Sequence, residues 1–328
     1  MTAPYDIDVV VIGEILVELS STEPLASGAP LKLGFSGDAL NAAAAAAAAG
    51  ARAAVLTRVA DDELGAAIIA RLAELGVDTR LVRMVPGQQA AYFVHSDPTG
   101  GRQFVYIRRA SAGSGLDPQD VIDARVEDAK VVLSSGITCA LSTSAAAAVE
   151  EAARRARTFI YDPNFRPRLM SAASAADSFR RLAPYAALVT PACPGETDPL
   201  FGCADPLLAA RRARDLGAGA AAVTLGADGV LVDDGSNAYA VPAVAAPALV
   251  DQTGAGDSLV GTIAGRIATG DSLLDAVRLG SAASSLCLQG QGGTGFVASL
   301  AQSRRHLERN GKDVTPLAAP NGSKEYVA

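Results

Sequence analysis

Asp251-Gln252-Thr253-Gly254-Ala255-Gly256-Asp257 stands directly before an apolar segment, Ser258 to Ala268, that reads as a helix. Gly254, Ala255 and Gly256 therefore form a helix entrance whose backbone N–H groups lack intrahelical partners. Such an entrance favours anions, because the N–H groups and the helix dipole act in the same direction. Asp257 is the odd member, since a carboxylate beside an anion loop repels the anion unless it has a chemical task. The natural task is to take a proton from a hydroxyl that attacks a phosphorus held by the loop. A plain glycine turn, with Asp257 as an ordinary complement to the helix dipole, is the competing reading.

Working outward, strand-like runs alternate with helical ones. Val9 to Ile12, Ala53 to Thr57, Val131 to Ser134, Phe159 to Tyr161, Ala186 to Thr190, Ala221 to Leu225 and Val230 to Asp233 read as strands. Asp38 to Gly50, Glu63 to Leu75, Ser142 to Arg157, Pro206 to Leu216, Ala255 to Thr269 and Leu273 to Leu288 read as helices. This alternation predicts a mostly parallel sheet covered on both faces. Ala90 to His95 and Gln103 to Arg108, joined by the turn-rich Ser96 to Gly101, break the pattern as an antiparallel pair. Ile15 to Ser20 and Leu31 to Phe35 form a second such piece. Together they are expected to make a small sheet over the site, or else a decorative hairpin. The whole chain, 1–328, reads as one domain, with lid segments at about 14–36 and 88–110. The stretch 310–328, broken by Pro316, Pro320 and Gly322, is expected to be a mobile or partly ordered tail. The run from Ala42 to Ala49 reads as a small-residue helix, and the alanine richness of the chain as a compositional bias with no function read into it.

Three further stretches carry polar chemistry. In Gly34-Phe35-Ser36-Gly37-Asp38-Ala39-Leu40-Asn41, Gly37 allows a close turn and Asp38 opens a helix as a cap would. Asn41 lies in the first turn, within reach of a ligand hydroxyl. Tyr106 and Arg108 alternate onto one strand face, with Tyr92 on the opposing strand. A phenol beside a guanidinium suits a polar, anionic ligand. Tyr161-Asp162-Pro163-Asn164-Phe165-Arg166-Pro167-Arg168 follows a strand, at the end where α/β folds bind ligands. Solvated surface arginines are the alternative for Arg166 and Arg168.

The Asp251–Asp257 string resembles the C-terminal signature of the ribokinase-like (PfkB) carbohydrate kinase family, and Gly34–Asn41 resembles its N-terminal signature. The two stand in the family's order, about 210 residues apart. With Gly13-Glu14, Tyr106-Ile107-Arg108 and Ser135-Gly136-Ile137-Thr138, they look like the 2-keto-3-deoxygluconate kinases of that family, over roughly residues 7 to 300. The resemblance implies an α/β fold, a ribokinase-like three-layer α/β/α sandwich with a small β-sheet lid. It implies ATP-dependent phosphorylation of a sugar acid, with Asp257 as base and Gly254, Ala255 and Gly256 as anion hole. Gly34, Gly37, Asp38, Asn41, Tyr92, Tyr106, Arg108 and Arg166 fall on the sugar side. Asn164, Thr224, Gly226 and Gly229 fall on the nucleotide side with the loop, although Asp228-Gly229 is also a hairpin turn. Pro191 to Glu196 resembles an Asn-x-x-Glu segment that helps hold Mg2+. Only Glu196 carries over, because Ala192 or Cys193 occupies the asparagine position. Ser281-Ala282-Ala283 replaces an asparagine that relatives often place near adenine. Asp251 is assigned to a monovalent cation, K+, and the lid edges to a homodimer or higher homo-oligomer. A neutral-sugar kinase of the fructokinase or ribokinase type remains an alternative, as does a catalytically silent nucleotide-binding protein on the same fold. A dinucleotide-binding dehydrogenase is disfavoured, since Gly13-Glu14-Ile15 stands where Gly-x-Gly-x-x-Gly would be needed.

Composition agrees with this picture. An apolar share of 49% with 19% charged residues argues against disorder. A net charge of -7 argues against nucleic acid or an anionic membrane as partner, but not against a small anion met by a few local arginines. Four cysteines without CxxC spacing read as reduced thiols. No apolar run reaches the roughly 18 residues of a spanning helix, and the N-terminus lacks a signal-peptide pattern, so a cytoplasmic location is expected.

Overall fold

The computed structural model describes residues 6–96 and 102–317. Its core begins with β1 (Val9–Ile12), whose four residues are all buried. Val9 and Val11 pack into one apolar cluster, Val10 and Ile12 into another. A strand with both faces buried must lie inside a covered sheet, because successive side chains point to opposite faces. The lid strands β2 (Leu16–Ser21) and β3 (Lys32–Ser36) follow. β4 (Ala53–Ala60) and β5 (Val82–Val85) return to the main sheet. β6 (Ala91–Ser96) and β7 (Arg102–Ile107) complete the lid. The main sheet continues with β8 (Val131–Ser135), β9 (Phe159–Asp162), β10 (Ala186–Val189), β11 (Ala221–Thr224), β12 (Val230–Asp233), β13 (Ala238–Val241) and β14 (Thr315–Leu317).

Among the described residues the main sheet runs β14-β13-β12-β11-β10-β9-β8-β1-β4-β5. From β5 to β11 all neighbours are parallel, while β12, β13 and β14 add an antiparallel margin. Helices cover both faces, giving the expected three-layer α/β/α sandwich with a small separate sheet. That second sheet has the order β3-β2-β6-β7. Its two antiparallel pairs are joined by parallel pairing of β2 with β6, so the two expected pieces form one surface. The turn expected at Ser96 to Gly101 falls, from residue 97 to 101, outside the described residues.

Thr315–Leu317, within the stretch expected to be mobile or partly ordered, pairs with β13. Pro316 sits opposite Tyr239 on this margin strand, where a missing N–H costs least. The alanine run also has a structural use. The Asp38–Ala48 helix packs against the Ala255–Ala268 helix with backbone nearly touching backbone. A Cβ on Gly261 would lie 2.2 Å from the Ala42 carbonyl oxygen, and one on Gly265 would lie 2.8 Å from that of Ala46. Arg266 then bonds the Ala49 carbonyl at 3.1 Å while paired with Asp271, tying the far ends of both helices together. Among the described residues no helix is long and apolar enough to cross a membrane.

Candidate active site

A cleft of about 770 Å3 opens between the carboxyl ends of the parallel strands and the lid. Parallel strands deliver loop residues to one edge, and two helix starts face them there. The first is at Gly254, which caps the Ala255–Ala268 helix in the left-handed region, φ +82°. A Cβ there would meet Gly293 O at 2.8 Å and Asn41 Nδ2 at 3.3 Å, so conformation and space both demand glycine. Gly256 has nothing within 4 Å of the Cβ it lacks and forms the open face of the entrance. The Ala255 N–H turns back to Gln252 O at 3.3 Å, so it is less available to an anion than expected.

Asp257 projects from the first turn. Asn41 Nδ2 donates to its Oδ2 at 2.8 Å and Asn164 Nδ2 to its Oδ1 at 3.4 Å. Desolvation, and then the charge of Asp38, push its pKa up to about 6, while the two amides and Arg166 pull the other way. Asp257 is thus ionised at neutral pH yet far more basic than a solvated aspartate.

The second helix start carries Asp38 and Asn41. Gly37 occupies the cap position at φ +123°, with no side-chain cap bond. Asp38 is therefore the first helical residue rather than the cap, and its carboxylate instead accepts the Ser135 hydroxyl. Asn41 is buried and lines the cleft, with one amide N–H on Asp257, while its Oδ1 has no hydrogen-bond partner among the described residues. Asn164 stands on the same carboxylate, at φ +40°, with its own N–H on Asp162 at 3.2 Å.

On the lid side, Tyr92, Phe104, Tyr106 and Arg108 line the cleft, and Arg166 and Arg168 reach it from beyond β9. Phe104 stacks on Tyr106 at 6.0 Å between ring centroids. The Arg108 guanidinium lies 5.7 Å from the Tyr106 ring centroid. Arg108 is also paired with buried Glu14, at 2.7 and 3.1 Å, and Glu14 accepts the Ser111 hydroxyl as well. Tyr92 donates its hydroxyl to buried Glu18. Arg168 bonds Phe104 O at 3.1 Å, bridging the core loop to the lid. Gly34 is displaced from the expected site. Strand pairing sets it opposite Glu18, lining a separate cavity of about 280 Å3.

Thr224 lines the far end of the cleft, together with Thr190, Ala192 and Gln252. Gly226 and Gly229 shape the β11–β12 turn and lie outside that lining. A Cβ on Gly229, at φ +105°, would lie 2.1 Å from Val241 O. Glu196 accepts the Phe165 N–H at 2.8 Å on one oxygen and the Ala192 N–H at 2.9 Å on the other. Asp251 likewise accepts from Thr253 N at 2.8 Å and Gly292 N at 2.9 Å, fixing the loop ahead of Gly254.

A model of the pfkB family carbohydrate kinases matches residues 6–299. The chain belongs to that family. It is 35% identical to 2-dehydro-3-deoxygluconokinase of Thermoproteus tenax over 85% of this chain and 88% of that one. It is 30% identical to 2-dehydro-3-deoxygalactonokinase of Haloferax volcanii over 85% and 90% of the two. The fold is that of a Xylella fastidiosa fructokinase solved with bound ATP, with a TM-score of 0.80 at 22% identity, covering 92% and 98% of the chains. This pfkB enzyme is a carbohydrate kinase.

The pfkB cleft carries a surplus of acid. Asp162, given no role from the sequence, faces Asp38, Glu196 and Asp257, and desolvation followed by the Glu196 and Asp257 charges raises its pKa well above the usual range. Glu196 is raised too, chiefly by burial. Among the described residues no group of three His, Cys, Asp or Glu could by itself hold a metal ion.

Proposed function

We propose that this pfkB kinase transfers the γ-phosphoryl group of Mg-ATP to the primary hydroxyl of a keto-deoxy sugar acid, foremost O6 of 2-keto-3-deoxygluconate. The observation that carries the reading is that Asp257, Arg108 and Arg166 share one cleft. Asp257 accepts the hydroxyl proton as that oxygen bonds to phosphorus, and the bond from phosphorus to the β,γ-bridging oxygen breaks to release ADP. The open N–H groups around Gly256 offset charge on the transferring group. Arg108 and Arg166 meet the acceptor carboxylate, Tyr106 and Phe104 cover its carbon skeleton, and the lid excludes water that would otherwise consume ATP. Bound Mg2+ would neutralise phosphate charge, with Glu196 as the residue that would help hold it, and a monovalent cation is assigned beside Asp251. The names of the Thermoproteus and Haloferax relatives support a keto-deoxy sugar acid as acceptor. The reading includes a cytoplasmic enzyme that is a homodimer or higher homo-oligomer through the lid, where Val105 and Ile107 are exposed.

One observation favours the neutral-sugar alternative. Glu14 already matches the Arg108 charge, leaving Arg166 as the less committed cation. A coupled ADP-release assay over sugars and sugar acids decides between the two. The highest kcat/KM is expected on keto-deoxy sugar acids, and a higher value on fructose or ribose would overturn the acceptor assignment.

A further inference from the structure

Asp257 is gripped by two side chains whose places in the sequence lie far apart. Asn41 comes from the first turn of the Asp38–Ala48 helix, Asn164 from the loop after β9, and each takes a different oxygen of the carboxylate. Both asparagines are at least nine-tenths buried, at 4% and 5% exposure. Surrounding structure is shaped to hold them. A Cβ on Gly293 would lie 2.3 Å from Asn41 Oδ1, so that glycine leaves room for the amide. Asn164 is held at a positive φ with its backbone N–H on Asp162.

We propose that Asn41 and Asn164 are positioning residues that form an uncharged clamp, orienting the Asp257 carboxylate and setting its proton affinity for the transfer step. The proposal rests on Asp257 being the base of the proposed reaction. The reason for amides is electrostatic. A guanidinium or ammonium in either place would lower a carboxylate pKa by about 1–3 units and weaken the base. An amide fixes direction through one N–H while leaving the carboxylate basic, and it does not titrate. The charged and titratable groups facing Asp257 are Asp38 from the same helix as Asn41, Asp162 and Arg166 from β9 and its loop, and the Cys287 thiol from the Leu273–Cys287 helix. Asp38 and Asp162 oppose ionisation and Arg166 favours it, so the two asparagines are the uncharged part of the balance.

The test is the pH profile of kcat/KM for the acceptor in wild type, Asn41→Ala and Asn164→Ala, with KM read separately. Loss of either donor is expected to move the acidic limb upward by about 0.5–1 pH unit. Turnover at neutral pH should drop about tenfold or more, with acceptor KM kept within about twofold. An unmoved acidic limb would overturn the clamp, as would a several-fold rise in KM at unchanged kcat, which marks a plain sugar contact. Should Asn41→Ala fail to fold by circular dichroism, Asn41→Ser and Asn164→Ala read the same shift. Asp257→Asn separates the two levels. Near-normal turnover in that variant removes the base itself, whereas an inactive Asp257→Asn with an unmoved limb in the asparagine variants removes only the clamp.

Discussion

The raised proton affinity of Asp257 costs the folded chain stability at neutral pH. The Asp257 pKa in the folded chain is about 6 against an ordinary aspartate value of 3.8, so the folded state holds the proton more tightly than the unfolded one. Below the lower value both states are protonated and there is no penalty. The penalty grows as pH rises through this window and is complete above about 6. Asp257→Asn is therefore expected to lower turnover by about 10²–10⁴-fold. The same variant should gain roughly 1–3 kcal/mol of stability at pH 7. Urea unfolding at pH 7 and again near pH 3.5 checks this, because the gain should vanish at the lower pH. Arg108→Ala should raise KM for a sugar acid far more than for a neutral sugar, and equal losses in the two assays would argue against carboxylate recognition. Asp257 and Arg108 were legible in the sequence, because a carboxylate after a glycine loop and an arginine beside a tyrosine are locally unusual. Glu14 and Glu18 were not. An acid near a strand looks solvated until folding brings Arg108 or Tyr92 onto it.

At the scale of elements, the helix pair Asp38–Ala48 and Ala255–Ala268 sets the distance between Asn41 and Asp257. Gly261→Ala would press a methyl group to 2.2 Å from Ala42 O. The expected cost is about 1–3 kcal/mol of stability. Turnover should also fall at temperatures where the variant remains folded, and a steady-state assay beside a thermal melt separates the two effects. The parallel core was legible because strands buried on both faces are uniformly apolar, as in Val9 to Ile12. β5 escaped notice because Arg83 and Met84 are exposed on a four-residue edge strand. β14 escaped because Pro316 reads as a breaker, and only its place at a sheet margin makes it tolerable. The packing role of the alanine helix was not legible, because it lies in the glycines it meets, more than 200 residues away.

For the molecule as a whole, the lid presents two unlike faces. Phe104 and Tyr106 line the cleft, while Val105 and Ile107 alternate to the outside and are exposed. If a second copy covers that outer face, Val105→Glu should halve the mass seen by light scattering while leaving the thermal midpoint of the isolated chain little changed. An unchanged mass would place any self-association elsewhere. The helix pair has another consequence. The Asp257 carboxylate and the Asn41 amide are set by main chain against main chain, with almost no side-chain volume between. The groups assigned to the proposed acceptor hang mainly from β6 and β7, which pair by backbone with the lid strand β2 and are tied to the loop after β9 by the Arg168 bond to Phe104 O. On the proposed reading, acceptor preference can therefore drift, or be redesigned, by exchanging side chains on the lid strands while the seat of Asp257 stays fixed.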